Sequence, residues 1–201
     1  MQIKVYQDYT RESERWTASL GWWHSVAYGY AVSLRSTPHY SAWSAKIGWG
    51  DAGVLREAED FAAQFLRRQP LANAAIEDCR RRLEAVIPDS ETFEDCSAAC
   101  DTGIIHLYTL SLLRRHDPAE TQYIASYCYD MVDAAAGDEV LPAGIMRQEH
   151  EIAIERHPFV QAEVAWQHRG RSLLSSISEY DATALAQFIA DWTTQPIIRQ
   201  H

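Results

Sequence analysis

FEDCSAACDTGIIHLYTLSLLRR, residues 93–115, is the stretch that decides the fold class. Its apolar residues recur at helical spacing, and few positions between Ile104 and Leu113 are polar. This pattern predicts a helix that is buried on most of its surface. Such a helix belongs at the centre of a bundle, and the other segments are expected to pack around it.

The segments on both sides repeat the helical periodicity. Asp51, Asp117 and Asp181 each precede an apolar-periodic run, so they are predicted N-caps. Thr37-Pro38 is expected to end a first long helix that starts near Trp16, because proline disfavours helical backbone before it. Strand alternation is not clear anywhere except at residues 3–6.

We therefore predict an all-α fold, a single-domain helical bundle of about six to seven helices. Residues 1–10 are expected to be an N-terminal extension, and residues 181–201 a C-terminal helix and tail. Residues 138–157 are the least regular part, because Pro142 and Gly144 favour a loop there, with a helical turn or two after it.

Composition excludes several classes of protein. The 201 residues are 47% hydrophobic and 23% charged, which is ordinary for a globular chain. Apolar runs fall short of the roughly 20 residues that a membrane-spanning helix needs. The first eight residues lack the basic start and apolar middle of a signal peptide. We expect a soluble cytoplasmic protein.

The four cysteines do not form a Cys-x-x-Cys pair, and three of them occupy expected core positions. We interpret them as reduced, buried thiols rather than as disulfides or metal ligands. The four are Cys79, Cys96, Cys100 and Cys128.

The net charge of −10 is concentrated in two stretches. Residues 84–101 carry six acids and no base, and residues 130–155 carry seven acids against Arg147 alone. An acidic protein repels nucleic-acid phosphates, so no direct nucleic-acid partner is expected. Acids are also common at helix starts. A local negative field is nevertheless what would steer a basic partner.

Three apparent motifs do not have the context that their chemistry requires. Residues 48–53, GWGDAG, match the dinucleotide fingerprint, but neither a preceding strand nor a parallel sheet is predicted. His150 and His157 are seven residues apart, whereas the zinc-protease motif His-Glu-x-x-His needs two histidines four residues apart, so His150-Glu151 does not begin that motif. Cys96, Cys100 and His106 do not share one helical face. We predict no catalytic residues, no metal site and no cofactor.

Two acids lie inside apolar helical segments. Asp101 precedes Ile104-Ile105, and Glu163 lies beside Val164. A buried carboxylate must be paired or protonated. Asp101 and Glu163 are therefore a candidate buried polar pair. A salt bridge or cap between helices is the favoured interpretation, and a catalytic pair is the alternative.

The ordered motifs resemble the YjaG-like family, a domain of unknown function (number four-one-six). The likeness runs from the first helix to Ile177, through Gly48-Trp49-Gly50-Asp51, the Ile-Pro turn at residues 86–93 and Asp101. Pro158, Val160, Glu163 and Gln167 match the family's Asn-Pro-x-Val-x-x-Glu helix, although His157 replaces the asparagine. The resemblance implies an all-α fold and no particular activity.

Three functional hypotheses follow. The first is a non-enzymatic immunity protein that binds and neutralises a protein toxin with a basic surface, such as a secreted nuclease effector. The partner-binding residues would be Asp138, Glu139, Glu149, Glu151 and Glu155.

The second hypothesis is a helical enzyme or small-ligand binder that uses Asp101, Glu163 and Tyr108. The third is a structural homo-oligomer, in its simplest form a homodimer, built on the tryptophan-rich N-terminal helix. Trp22 and Trp23 point about 100° apart on a helix, so one of them is available for an interface.

Overall fold

The computed structural model describes residues 5–141, 148–195 and 197–198. The regular elements in these ranges are all helices. In that part of the chain the structure is 77% helix and contains no strand, which confirms the predicted all-α class. It has nine helices there rather than six to seven. They are α1 Val5–Ser19, α2 Trp22–Ile47, α3 Ala52–Leu66, α4 Asn73–Glu84, α5 Ser97–Leu112, α6 Pro118–Val140, α7 Gln148–Glu155, α8 Pro158–Ser176 and α9 Ala182–Trp192.

Helices α2 and α5 form the centre of the bundle, and α3, α4 and α6 pack around them. Val26, Tyr28 and Val32 of α2 are fully buried, as are Ile105 and Leu110 of α5. The expectation that residues 93–115 supply the central helix is therefore confirmed for α5. Its apolar character on all sides follows from having neighbours on most sides.

Two boundaries near the N-terminus differ from the prediction. The expected single helix from Trp16 is divided at Leu20-Gly21, where Gly21 adopts an extended conformation (φ −70°, ψ 160°). This break lets α1 pack on α6 while α2 packs on α5. Helix α1 begins at Val5, before Trp16, and Tyr9 in its first turns is buried.

Pro38 does not end the helix, contrary to the prediction, because α2 continues through it to Ile47. Proline removes one helical hydrogen bond, the one that the Leu34 carbonyl would accept. Hydroxyl groups add contacts to other carbonyls around Pro38. Ser36 donates to the Ser33 carbonyl (3.0 Å), the Thr37 hydroxyl lies 3.1 Å from the same oxygen, and Thr102 of α5 donates to the Ser36 carbonyl (3.2 Å).

The same hydroxyls belong to a polar layer that joins α2, α3 and α5. Thr37 donates a short hydrogen bond to Glu59 of α3. His106 of α5 is fully buried, with Nε2 3.2 Å from a Glu59 carboxylate oxygen and Nδ1 2.8 Å from the Thr102 carbonyl. The sequence pattern gave no indication of this polar layer.

A bidentate ion pair crosses the opposite side of α2. The guanidinium of Arg35 donates to both carboxylate oxygens of Glu163 on α8 (2.9 and 2.6 Å). The two side chains are 1% and 4% exposed. Burial alone would lower the pKa of Arg35, but the adjacent Glu163 carboxylate raises it, so the guanidinium stays charged.

Polar groups extend this ion pair toward α1. Gln167 donates to Glu163 (3.1 Å), and its carbonyl oxygen accepts from Tyr28 and Arg171 (2.7 and 2.9 Å). The Tyr9 hydroxyl lies 2.7 Å from the same Gln167 oxygen and accepts from Arg171 (3.1 Å). Residues from α1, α2 and α8 are thus fixed by one buried network.

The C-terminal segment is tied to α2 by two further contacts. Arg35 donates through Nε to the Gln195 carbonyl (3.0 Å), and the Ile198 amide donates to His39 Nε2 (3.3 Å). Burial and the nearby Arg35 charge lower the pKa of His39 to about 4. His39 is therefore neutral at physiological pH and can accept this hydrogen bond.

The predicted helix starts at three aspartates are confirmed. Asp51, Asp117 and Asp181 each accept a hydrogen bond from a backbone amide in the first turn (2.7, 3.0 and 2.8 Å). In the segment expected to be irregular, α6 continues to Val140 and α7 covers residues 148–155. Pro142 and Gly144 lie outside the described residues.

The described cysteines are all free thiols, and Cys79, Cys96 and Cys128 are buried, as expected for core residues. Burial raises the pKa of the Cys79 thiol to about 11. In the described ranges, none of the helices has the length and apolar character needed to cross a bilayer.

Replacing Arg35 with methionine is expected to lower the free energy of unfolding by about 3–5 kcal/mol, because it leaves the Glu163 carboxylate buried without its counter-ion. Urea denaturation followed by circular dichroism measures the change. The double variant Arg35→Met/Glu163→Leu should lose less than Arg35→Met alone. Glu179→Gln, which removes an exposed ion pair with Arg68, is the matched control and should have little effect. Equal losses in the control and in Arg35→Met would contradict the assignment.

Candidate functional site

The outward side of the α5–α6 pair is the most chemically distinctive surface in the described chain. The two helices run antiparallel: Ser111 at the end of α5 donates to Glu120 at the start of α6, and Asp101 near the start of α5 lies close to Asp130 in the second half of α6. We call this surface the α5–α6 face. It comprises Asp101, Ile104, Tyr108, Ser111, Tyr123, Tyr127, Asp130 and Asp133.

Three tyrosines form a stack in the middle of the α5–α6 face. The ring of Tyr108 lies 5.0 Å from that of Tyr123 and 6.2 Å from that of Tyr127, with interplanar angles of 28° and 29°. Tyr123 and Tyr127 are four residues apart, so they are neighbours on one side of α6. Tyr123 is 48% exposed, which leaves a large amphipathic ring available to a partner.

Carboxylates form one end of the face. Burial, together with the charge of Asp130, raises the pKa of Asp101 to about 7. Partial desolvation and Asp133 raise the pKa of Asp130, and partial desolvation and Glu155 raise that of Asp133. Among the described residues, Asp101, Asp130 and Asp133 form no ion pair with a base. No base among the described residues therefore offsets their repulsion.

Arginines surround the other end, where α4 approaches α5 and α6. A cleft of about 570 Å³ opens there, with Ile104, Leu107 and Tyr108 in its floor. Arg80, Arg114 and Arg115 also line it, as do Asn73, Ser111 and Glu120. The face therefore runs from carboxylates without a base partner in the described chain at one end, past the tyrosines, to arginines paired with acids at the other.

The structure places the five acids predicted to bind a partner at the far end of α6 and on α7. Asp138 and Glu139 lie in the last turns of α6 and are exposed, and Glu139 lies 3.2 Å from His157. Glu149 and Glu151 are exposed on α7. Glu155 is half-buried, and its charge reaches Asp133. Only Glu155 is thereby brought next to the α5–α6 face.

Asp101 and Glu163, the candidate polar pair, have different partners. Glu163 pairs with Arg35 inside the bundle, whereas Asp101 responds to Asp130 on the α5–α6 face. Tyr108, grouped with both in the ligand-binding hypothesis, lines the cleft, whose lining includes neither acid. The ion pair with Arg35 therefore explains why Glu163 is buried, whereas Asp101 lies on the α5–α6 face.

Sequence reasoning did not single out Tyr123, Tyr127, Asp130 or Asp133 as site residues. Their spacing carries a signal, because positions 123, 127 and 130 share one side of a helix and position 133 follows three residues later. That signal also fits a buried stripe. It could only be assigned to a surface once α5 was known to cover the opposite side of α6.

Trp22, the residue considered for a homo-oligomer interface, makes contacts within the chain. Its indole N–H donates to the Leu112 carbonyl (2.5 Å), and its ring lies 5.2 Å from that of Phe65. It remains 40% exposed.

The fold and this face together define an all-helical bundle protein with a densely hydrogen-bonded polar interior. The chain belongs to the family described as a protein of unknown function (DUF416), whose model matches residues 15–195. The fold is similar to the crystal structure of a DUF416 family protein from Shewanella baltica OS155, with a TM-score of 0.73 and 16% sequence identity. That likeness covers 89% of this chain and 92% of the other. Among curated proteins, no significant match to the chain was found.

Asp101→Asn is expected to stabilise the protein more at pH 8 than at pH 5. The folded state raises the pKa of Asp101 from 3.8 to about 7, so wild-type stability falls as pH rises between these values and stays low above them. Asparagine has no proton to lose. Urea denaturation at both pH values measures the difference. Asp60→Asn, at an exposed site on α3, is the control. An Asp101→Asn variant that is less stable than wild type at pH 8 would contradict the raised pKa of Asp101.

Proposed function

We propose that the protein is a non-enzymatic binding protein whose partner is a protein with a basic surface, contacted through the α5–α6 face. The observation that carries this proposal is the tyrosine stack flanked by Asp101, Asp130 and Asp133. Partial burial and neighbouring carboxylates raise the pKa of each of these acids, and no base among the described residues pairs with them. A basic partner would relieve that repulsion on binding, which adds to the free energy of association.

The tyrosines supply the second part of a protein-binding surface. Exposed tyrosine gives a large contact area at a small loss of side-chain entropy, and it is enriched among residues that dominate binding energy. An arginine side chain fits this pairing, because its guanidinium can stack on the ring of Tyr123 and pair with a nearby carboxylate. We therefore expect arginines in the contacting surface of the partner.

The specific form of this proposal is an immunity protein that neutralises a toxin, in particular a nuclease. A nuclease binds phosphates with a basic surface, and an acidic protein can cover that surface. Asp138, Glu139, Glu149, Glu151 and Glu155 would extend the contact beyond the α5–α6 face toward α7. The DUF416 classification neither favours nor opposes this role.

The variant Asp130→Asn/Asp133→Asn is expected to raise the free energy of unfolding while weakening binding to a basic probe. Neutralisation relieves the repulsion within the folded chain but removes the attraction for a cationic partner. Fluorescence anisotropy with a fluorescein-labelled deca-arginine peptide measures the binding, and about a tenfold rise in Kd is expected. Urea denaturation measures the stability.

Glu14→Gln/Asp60→Asn is the matched control, because it removes two exposed acids on α1 and α3 and changes the net charge equally. Similar losses of affinity in the two double variants would mean that only net charge matters, and the proposed face would be rejected. Charge reversal at Glu149, Glu151 and Glu155 then tests the α7 extension, which is withdrawn if that variant binds the peptide as tightly as wild type.

A further inference from the structure

We infer that the cleft between α4, α5 and α6 is a binding site for a small molecule that combines a planar apolar body with an anionic group. We name it the arginine cleft and define it by Arg80, Ile104, Leu107, Tyr108 and Arg114. It lies at the end of the α5–α6 face opposite the acids. Its occupancy does not depend on the protein partner proposed above.

The size of the arginine cleft suits a small organic molecule. Its volume of about 570 Å³ falls inside the usual range of roughly 300–1,000 Å³ for small-molecule sites. Ile104, Leu107 and Tyr108 are only half-buried although they lie on the central helix, so the protein itself leaves this apolar floor incompletely covered. A planar ring would complete that coverage and could lie against Tyr108.

The guanidinium groups supply the anion-binding part. Glu77 accepts from both Arg80 and Arg114, and Glu84 accepts from Arg80, so acids on α4 hold the two guanidiniums in position. Arg80 uses Nε and one terminal nitrogen in these contacts, and Arg114 uses one terminal nitrogen. Within the described chain, the other terminal nitrogen of each has no protein acceptor. Two oriented donors are thus available for a carboxylate, sulfonate or phosphate.

Arg115 closes the same end of the cleft. It pairs with Glu120 (3.1 Å) and Asp117 (3.5 Å), and Glu120 also accepts from Ser111. These acids reduce the positive potential of the cleft, so a simple inorganic anion would gain little there. An anion that also buries an apolar ring on Ile104 and Leu107 gains from the arginines and from the apolar floor. The ligand is therefore expected to combine an anionic group with an apolar ring.

The test compares two fluorescent probes with the same aromatic skeleton: 1-anilinonaphthalene-8-sulfonate, and N-phenyl-1-naphthylamine, which lacks the sulfonate group and is uncharged. We expect the sulfonate to bind the folded protein with one site per chain and at least about tenfold more tightly than the uncharged probe. Fluorescence titration of the full chain gives the Kd and stoichiometry. Equal affinity for the two probes would overturn the anionic part of the inference.

Arg80→Gln/Arg114→Gln should raise the Kd for the sulfonate by at least about tenfold, because it removes both oriented donors. Arg81→Gln/Arg82→Gln is the matched control, since these arginines lie on the same helix but pair with Asp78 and Glu57 outside the cleft. It should leave the Kd unchanged. Unchanged binding in the first variant, or equal weakening in both, would overturn the site.

The single variant Arg114→Gln protects the test against a folding defect. Arg114 is 47% exposed and has one ion pair with the described residues, so its removal should leave the far-ultraviolet circular dichroism spectrum and the urea midpoint close to wild type. With the fold intact, a weaker sulfonate titration supports the arginine cleft. Wild-type affinity in this folded variant and in Arg80→Gln would reject it.

Discussion

The buried pairing of Arg35 with Glu163 is the constraint on which the rest of the architecture depends. Two charges taken out of water must meet with good geometry, and this pair does so through two hydrogen bonds across 128 positions of sequence. Gln167 then fixes the carboxylate, and Tyr28 and Arg171 fix Gln167. Because each side chain in this network satisfies hydrogen-bonding groups of the next, α1, α2 and α8 can meet in essentially one arrangement.

A second polar layer explains how α2 remains continuous across the other half of the bundle. The hydroxyls of Ser36 and Thr37 contact the Ser33 carbonyl beside Pro38, while Glu59 and His106 bind the same region from α3 and α5. Close packing reinforces this layer. A side-chain carbon at Gly29 would lie 2.8 Å from Thr109 Oγ1, so only glycine allows α2 and α5 to approach this closely.

Much of the fold could be predicted from local pattern, and most of the site could not. Periodicity identified the central helix, and Asp51, Asp117 and Asp181 marked helix starts, because caps and apolar spacing are local properties. Pro38 misled the prediction, because packing against α3 and α5 holds α2 in place around it, and that packing is not a local property. Arg35 gave no local signal of its partner. The tyrosines and acids of α6 looked like core or solvated positions until the packing of α5 showed which side of α6 is covered.

Tyr9 closes the buried network from a part of the chain that lies before residue 15, where the family match begins. This has a practical consequence for anyone preparing the protein. A fragment trimmed to the matched range would lose the phenol that caps Gln167 and Arg171 and would admit water to a buried guanidinium. An N-terminal purification tag is better placed ahead of an intact α1 than in place of its first turns.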